Sequence, residues 1–223
     1  VHNGDISVVA LDATQFFSGA IFIEDDILYT QDITETLQIR DKTEMQVRAD
    51  DVAGVKGPRA VTHMRVPENV TLNLHARNGS IFVAGRLGNV TAVAEGGKIE
   101  VRGQTRNLTL TTQGDNGITV DGETGTLVLV SDKGPVDVAT GMNPTRVTVK
   151  TAGGNVIFSG KLAADINSFT TATNGQITLM MPRDLSFDII ARTVGKPISV
   201  QYPTTPYRVL VCATMDQGWP VDL

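Results

Sequence analysis

Along most of the chain, apolar and polar positions alternate with a period of two, and short turns rich in glycine and asparagine interrupt the alternation at regular distances. The first apolar position after each central turn recurs every 18 to 21 residues, a spacing typical of a solenoid built from stacked coils. These positions form a predicted core ladder of Ile81, Ile99, Ile118, Val136, Val156, Ile177 and Ile198. We expect in-register stacking, with equivalent side chains about 4.8 Å apart.

The alternating segments are rich in β-branched residues, which favours strands over helices. Each coil contains two such segments. In the coil that begins at Ile81, the first segment holds Ile81 and Val83, and the second holds Val90 and Ala92. No segment has a convincing helical period. The sequence therefore predicts an all-β protein, a parallel β-solenoid (β-helix) of about seven coils of 18–21 residues.

One glycine in each turn is predicted to be structural, because a coil must reverse direction within two or three residues. Such reversals often need a positive φ, which glycine adopts at little cost. None of these turns ends in the Lys-Ser/Thr pair of a phosphate-binding loop, and none opens a predicted helix. The predicted structural glycines are Gly79, Gly97, Gly117, Gly134, Gly154, Gly175 and Gly195.

The repeat divides one continuous domain into three parts. Residues 1–75 are a less regular β lead-in, residues 76–200 are the regular coils, and residues 201–223 are a last strand and a cap. The cap is assigned to Trp219 and Pro220, and the strand to Tyr207–Cys212. A solenoid end without a cap exposes unpaired strand edges. We expect such an exposed end near Val1, so self-association through the solenoid ends is one expected mode of assembly.

Composition and charge exclude several classes of function. Hydrophobic residues make up 41% of the chain and charged residues 19%, which argues against wholesale disorder. The net charge is −5 and no basic run occurs, so nucleic acid is not an expected partner. No apolar run approaches the roughly 18 residues that span a bilayer. A single cysteine excludes an intrachain disulfide. Because the sequence does not begin with Met, we expect that a signal peptide or an envelope anchor preceded it.

Three successive segments carry a resemblance to a known family: residues 66–74, which begin with Val-Pro, residues 78–83, which begin with Asn-Gly, and residues 88–92. Together they resemble the DUF4097-type putative adhesins, β-helix proteins of bacterial and archaeal envelopes. The pair of strands from Leu37 to Val47 is similar to the pair that precedes Val-Pro in that family. The resemblance implies a right-handed parallel β-solenoid that is exported or anchored at the envelope. It brings no catalytic residues, and the chain departs from it at residues 160–175 and at Lys133-Gly134-Pro135.

The search for chemistry yields no catalytic, cofactor or metal residues. His2, His63 and His75 lack ligand-like spacing, and the lone Cys212 has no evident histidine partner. The turn at residues 115–117 only faintly resembles a calcium-binding repeat and occurs once. The enzymatic alternative is a polysaccharide lyase or hydrolase, which needs two carboxylates about 5 to 10 Å apart. Residues one coil apart are neighbours, so the pairs Asp115 with Asp137 and Glu100 with Asp121 are the candidates for that role.

Four Asn-x-Ser/Thr motifs are candidate glycosylation sites or ordinary solenoid turns, at Asn69, Asn78, Asn89 and Asn107. The primary hypothesis is a non-enzymatic envelope or extracellular protein without a cofactor. It would present a stacked surface rich in threonine and asparagine for adhesion or assembly, with envelope proteins or glycans as partners. The alternatives are a polysaccharide-binding or polysaccharide-cleaving β-helix and a self-assembling filament subunit.

Overall fold

The fold is all-β, and no helix occurs among the described residues. The computed structural model describes residues 5–11, 22–27, 33–40, 44–51, 60–141, 144–162, 166–171, 173, 175–181, 188–194 and 198–201. Their strands, in chain order, are β1 (Asp5–Leu11), β2 (Phe22–Ile27), β3 (Ile33–Arg40), β4 (Glu44–Asp51), β5 (Ala60–Pro67), β6 (Thr71–Ala76), β7 (Ile81–Ala94), β8 (Ile99–Thr112), β9 (Ile118–Ser131), β10 (Val136–Thr140), β11 (Arg146–Thr151), β12 (Val156–Gly160), β13 (Ile166–Thr171), β14 (Ile177–Met180), β15 (Asp188–Arg192) and β16 (Ile198–Gln201).

These strands form the two faces of a β-solenoid, which confirms the predicted fold class. The first face has the order β2-β5-β1-β7-β8-β9-β10-β12-β14-β16. The second face has the order β3-β4-β6-β7-β8-β9-β11-β13-β15. The long strands β7, β8 and β9 bend and contribute one half to each face. From β7 to β15 the chain makes about six turns, and β16 begins another.

The core ladder of the first face runs in register through the solenoid. Ile81 pairs with Ile99, Ile99 with Ile118, and the succession continues through Val136, Val156 and Ile177 to Ile198. All seven residues are buried. Ile6 of β1 pairs with Ile81 and adds one more buried residue to the ladder. Each rung therefore excludes water from the rung above and the rung below it, which is the main stabilisation available to a solenoid.

Hydroxyl groups form a buried column where the second face enters the turns. Its members are Thr112, Ser131, Thr151, Thr171 and Thr193, each almost fully inaccessible. Thr112 Oγ1 donates to the carbonyl oxygen of Gly97 at 3.1 Å, and Ser131 Oγ donates to that of Gly134 at 2.7 Å. A buried hydroxyl needs such a partner, because an unsatisfied one costs about 1–3 kcal/mol. The column therefore ties the strands to the turns that follow them.

The turn glycines are needed for close stacking more than for backbone conformation. Of the predicted turn glycines that the structure describes, only Gly117 has a positive φ, at 75°. A Cβ built on Gly97 would lie 2.0 Å from the carbonyl oxygen of Gly79. The expectation of a positive φ throughout these turns was wrong, since the turns stack too closely for a side chain. Gly195 lies outside the described residues.

Positive φ occurs instead at the opposite corner, where the long strands bend between the faces. Gly85, Gly103 and Gly122 stack in register there, with φ values of 106°, 117° and 159°. We call this edge of the solenoid the bend corner. It comprises residues 85–89 of β7, 103–107 of β8 and 122–126 of β9, with Thr145 above them.

The lead-in contributes an inserted strand and two antiparallel edges. On the first face, β1 lies between β5 and β7 and is parallel to both. The outermost strands at this end are β2, antiparallel to β5, and β3, antiparallel to β4. Antiparallel edge strands interrupt the parallel stacking at the end that the sequence suggested would be open. At the other end, the predicted strand Tyr207–Cys212 and the cap residues Trp219 and Pro220 lie outside the described residues.

Candidate contact surface at the bend corner

The histidines do not form a metal or catalytic centre in the described part of the chain. His63 is exposed on β5. His75 Nε2 lies 3.1 Å from Glu95 Oε1, and Arg77 Nε lies 3.5 Å from the other oxygen of the same carboxylate. Among the described residues, no group of three or more His, Cys, Asp or Glu side chains is placed to hold a metal ion. His2 and Cys212 lie outside those residues.

The carboxylate pairs considered for glycan cleavage are not stacked as the spacing suggested. Glu100 pairs with Thr119, whereas Asp121 pairs with Arg102, so Glu100 and Asp121 occupy diagonal positions. Asp137 pairs with Thr119 on one side and Ile157 on the other. The prediction failed because the steps between coils vary by one or two residues, and such a shift moves a side chain to a different column.

Glu100 is instead the centre of an ion-pair cluster on the outer surface of the first face. Its carboxylate oxygens lie 3.0 Å from Lys98 Nζ and 2.6 Å from Arg102 Nη2. The hydrogen bond from Lys98 is the largest cause that lowers the pKa of Glu100, and Arg102 adds to it against the opposing effect of burial. The guanidinium of Arg102 also lies 5.9 Å from the centre of the Phe82 ring. A carboxylate held by two cations is a poor proton donor, so this cluster does not resemble the acid of a glycosidase.

The turn that faintly resembled a calcium site has its own structural role. Asn116 Nδ2 donates a hydrogen bond of 3.0 Å to the carbonyl oxygen of Gly96 in the turn below. Asp115 is exposed beside it, and Gly117 supplies the positive φ that this turn requires. The asparagine therefore links two stacked turns.

The most organised polar surface lies at the bend corner. Arg86, Gln104 and Glu123 follow the stacked glycines and lie one above another in consecutive coils. Arg86 Nε donates to Gln104 Oε1 at 2.9 Å, and Gln104 Nε2 donates to Glu123 Oε2 at 2.6 Å. The row runs from a cation through an amide to an anion, so each hydrogen bond polarises the next. The glutamine is therefore held in one orientation on the surface.

A second row runs parallel to the first, three residues further along each strand. Asn107 Nδ2 donates to Asn89 Oδ1 at 2.8 Å, and both side chains are exposed. Above them Thr126 pairs with Asn107, and its Oγ1 lies 3.4 Å from Thr145 Oγ1. Thr145 Oγ1 donates in turn to the carbonyl oxygen of Gly125 at 2.8 Å. Amide and hydroxyl groups thus repeat along the corner at the coil spacing of about 4.8 Å.

Arg106 lies between the two rows and has glycines as its neighbours in the adjacent coils. The registers on either side of it align Gly88, Arg106 and Gly125 in one column. Arg106 is exposed, and the glycines place no side chain above or below it. The bend corner therefore combines two guanidinium groups, one carboxylate, three amides and two hydroxyls in an ordered array.

The array is able to bind a polar ligand and is not arranged for covalent chemistry. Amides and hydroxyls both donate and accept hydrogen bonds, whereas guanidinium groups only donate and a carboxylate only accepts. Because neighbouring side chains already hold one another, a ligand would pay little conformational entropy to order them. An extended ligand that lies along the solenoid axis could contact several coils at once.

The four glycosylation motifs fall into two places. Asn89 and Asn107 belong to the bend corner, where their amides are hydrogen-bonded to each other. Asn69 is exposed nearby with a φ of 63°, and its backbone N–H donates to the carbonyl oxygen of Arg86. Asn78 is exposed at the opposite corner, in the turn before β7. All four asparagines thus have structural positions at corners of the solenoid.

The sequence pattern did not single out Arg86, Gln104 and Glu123. Their alignment follows from adding five to the ladder positions Ile81, Ile99 and Ile118, so the register contained the signal. The threonine- and asparagine-rich surface does occur: Thr91 and Thr109 are exposed and stacked on the second face beside the second row.

Comparison with protein-family models, with curated proteins and with solved structures gives no match for this chain. Within the described residues, no helix has the length and apolar character to cross a membrane.

Proposed function

We propose that this protein is a non-enzymatic β-solenoid of the cell envelope or extracellular space that adheres to glycans through the bend corner. The hydrogen-bonded row of Arg86, Gln104 and Glu123 is the observation that carries the proposal. It supports a binding role because an oriented amide on an exposed edge can pair with hydroxyl groups of a sugar. The envelope or extracellular location rests on the resemblance of residues 66–92 to envelope β-helix proteins.

The periodicity of the corner favours a polymer over a small molecule. Polar groups recur about every 4.8 Å along the axis, and a polysaccharide also presents hydroxyl groups repeatedly along its length. Several weak contacts on one rigid support add up to a useful affinity, because later contacts form intramolecularly. A compact ligand would instead favour a concave pocket with convergent polar groups.

The position of the acidic residues supports binding without cleavage. Glu100 is held by Lys98 and Arg102, and Glu123 accepts a hydrogen bond from Gln104. A cleaving enzyme would need two carboxylates facing each other across the scissile bond. The alternative of a polysaccharide-cleaving β-helix therefore has less support than the binding role.

A binding screen that also detects cleavage tests the proposal. The purified chain is exposed to immobilised glycans and envelope polysaccharides, and each retained polymer is assayed for newly formed chain ends after prolonged incubation. We expect retention of at least one extended glycan with no new ends above the protein-free control. Release of ends that is lost in Glu100→Gln or Asp121→Asn would replace this proposal with an enzymatic one, and retention of envelope proteins alone would exclude the glycan.

A further inference from the structure

The inserted strand β1 occupies a slot that belongs to the rest of the solenoid. On the second face, β6 lies directly beside β7. On the first face, β5, which precedes β6 in the same coil, is separated from β7 by the width of one strand. The chain from β5 to β7 therefore advances by two strands on one face and by one strand on the other. The gap that results is filled by β1.

The slot recognises its strand through both backbone edges and through an alternating core. Seven residues of β1 are in register with β5 and four with β7. Ile6 and Val8 are fully buried, at 0% exposure, and continue the ladders of Ile81 and Val83. A strand that fits the slot must therefore pair in parallel on both sides and present apolar side chains at alternate positions.

The first residue of β1 adds a specific contact. Asp5 Oδ1 accepts a hydrogen bond of 2.7 Å from the backbone N–H of Ser80, and the N–H of Ile6 donates to the carbonyl oxygen of Ser80 at 2.8 Å. The carboxylate thus fixes the register of β1 against the turn before β7. A strand shifted by one residue would lose this contact and would direct its apolar side chains to solvent.

We propose that the slot between β5 and β7 is an acceptor site for β1 of a second copy of this chain. The contacts in the slot are the same whichever copy supplies the strand, so exchange changes only the connectivity. Ten residues, 12–21, separate β1 from β2 along the sequence, and the remaining coils do not pass through β1. Strand addition between two backbone edges is an established mode of protein association.

Exchange of β1 would assemble copies in one of two ways. Each copy holds one β1 and one slot, so two copies that exchange reciprocally close a dimer. If each copy instead passes its β1 to the next, the contact is heterologous and the assembly grows as an open chain. Either product leaves the bend corner accessible and repeats it in space, so this inference does not depend on the proposed glycan binding.

A strand-exchange experiment on the full chain tests the acceptor site. Two preparations that differ in isotopic mass are mixed, brought to the urea midpoint, returned to buffer and analysed by native mass spectrometry. A synthetic peptide of residues 3–11 is then added at about millimolar concentration, comparable to the effective concentration of a tethered strand. The control peptide carries Ile6→Asp and Val8→Asp.

We expect mixed oligomers after the urea cycle, and we expect the peptide to convert them into peptide-bound monomers. The control peptide should be at least about tenfold less effective, because a buried carboxylate at either position is strongly disfavoured. Failure to form mixed oligomers would overturn the proposal. Mixed oligomers that the peptide does not dissociate would overturn it as well, since they would then be held by another surface.

Discussion

Gly154 lies directly against Gly134 in the stacked turns, and a Cβ on Gly154 would lie 2.0 Å from the carbonyl oxygen of Gly134. Its neighbour Gly153 is exposed, and a Cβ there would approach nothing closer than Thr173 Oγ1 at 3.7 Å. Neither glycine has a positive φ. Two adjacent residues of one turn therefore differ only in the space around them, which makes them a matched pair.

We predict that Gly154→Ala destabilises the protein by about 1–3 kcal/mol, because the methyl group would force the stacked turns apart. Gly153→Ala should be neutral or should stabilise the protein by up to about 1 kcal/mol through a smaller unfolded-state entropy. Urea unfolding followed by circular dichroism measures both. Equal effects at the two positions would show that contact between turns does not select glycine here.

Ile118→Ala should lower the free energy of unfolding by about 2–4 kcal/mol, because it opens a cavity in the middle of the core ladder. Thr119→Ala is the control, since Thr119 is the next residue and points outward. The control should change stability by less than about 0.5 kcal/mol. A small loss at Ile118 in the same urea experiment would mean that the ladder is not the principal core.

Thr112→Val tests the buried hydroxyl column. The substitution keeps the shape of the side chain but removes the donor to the carbonyl oxygen of Gly97, so we predict a loss of about 1–3 kcal/mol. Thr111→Val replaces a half-buried outward hydroxyl on the same strand and should be nearly neutral. Thermal unfolding distinguishes the two variants. Unchanged stability in Thr112→Val would assign the column a packing role only.

The ion-pair cluster predicts a defined pH dependence. Lys98 and Arg102 lower the pKa of Glu100 in the folded protein below its value of 4.5 in the unfolded chain. The resulting stabilisation is present above the unfolded pKa and is lost as the pH falls through the folded pKa. Because the pairs are partly exposed, we expect at most about 1 kcal/mol.

Glu100→Gln should therefore differ from the unmodified protein most above about pH 5 and converge with it at lower pH. A double-mutant cycle with Lys98→Met isolates the contribution of the first partner. A difference in unfolding free energy that stays constant from pH 2 to pH 7 would show that the charge of Glu100 is not involved.

The sequence was sufficient to predict the repeating part of the fold. Ile81, Ile99 and Ile118 follow short turns at nearly constant spacing, and each is the first inward residue of a strand. Stacked coils must align equivalent positions to bury them, so the repeat determines the register. The resemblance to envelope β-helix proteins added an expected location and no site.

The inserted strand and the carboxylate positions could not be predicted in the same way. β1 joins β7 across more than 70 residues of sequence, and no local pattern identifies such a neighbour. The coil steps of 18 and 19 residues also differ by one, which changes which outward residues meet: Asp121 stacks on Arg102 and not on Glu100. Inward positions tolerate this uncertainty because they are all apolar, whereas polar pairs do not.

The central claim is that the bend corner binds an extended glycan, and one pair of variants tests it directly. Gln104→Leu removes the amide that joins Arg86 to Glu123, whereas Gln113→Leu makes the same change at an exposed position in the opposite corner. The measurement is the dissociation constant of both variants for the glycan retained by the unmodified protein. We predict a loss of about tenfold or more for Gln104→Leu and no change for Gln113→Leu. Equal affinity in the two variants would contradict the assignment of the binding surface.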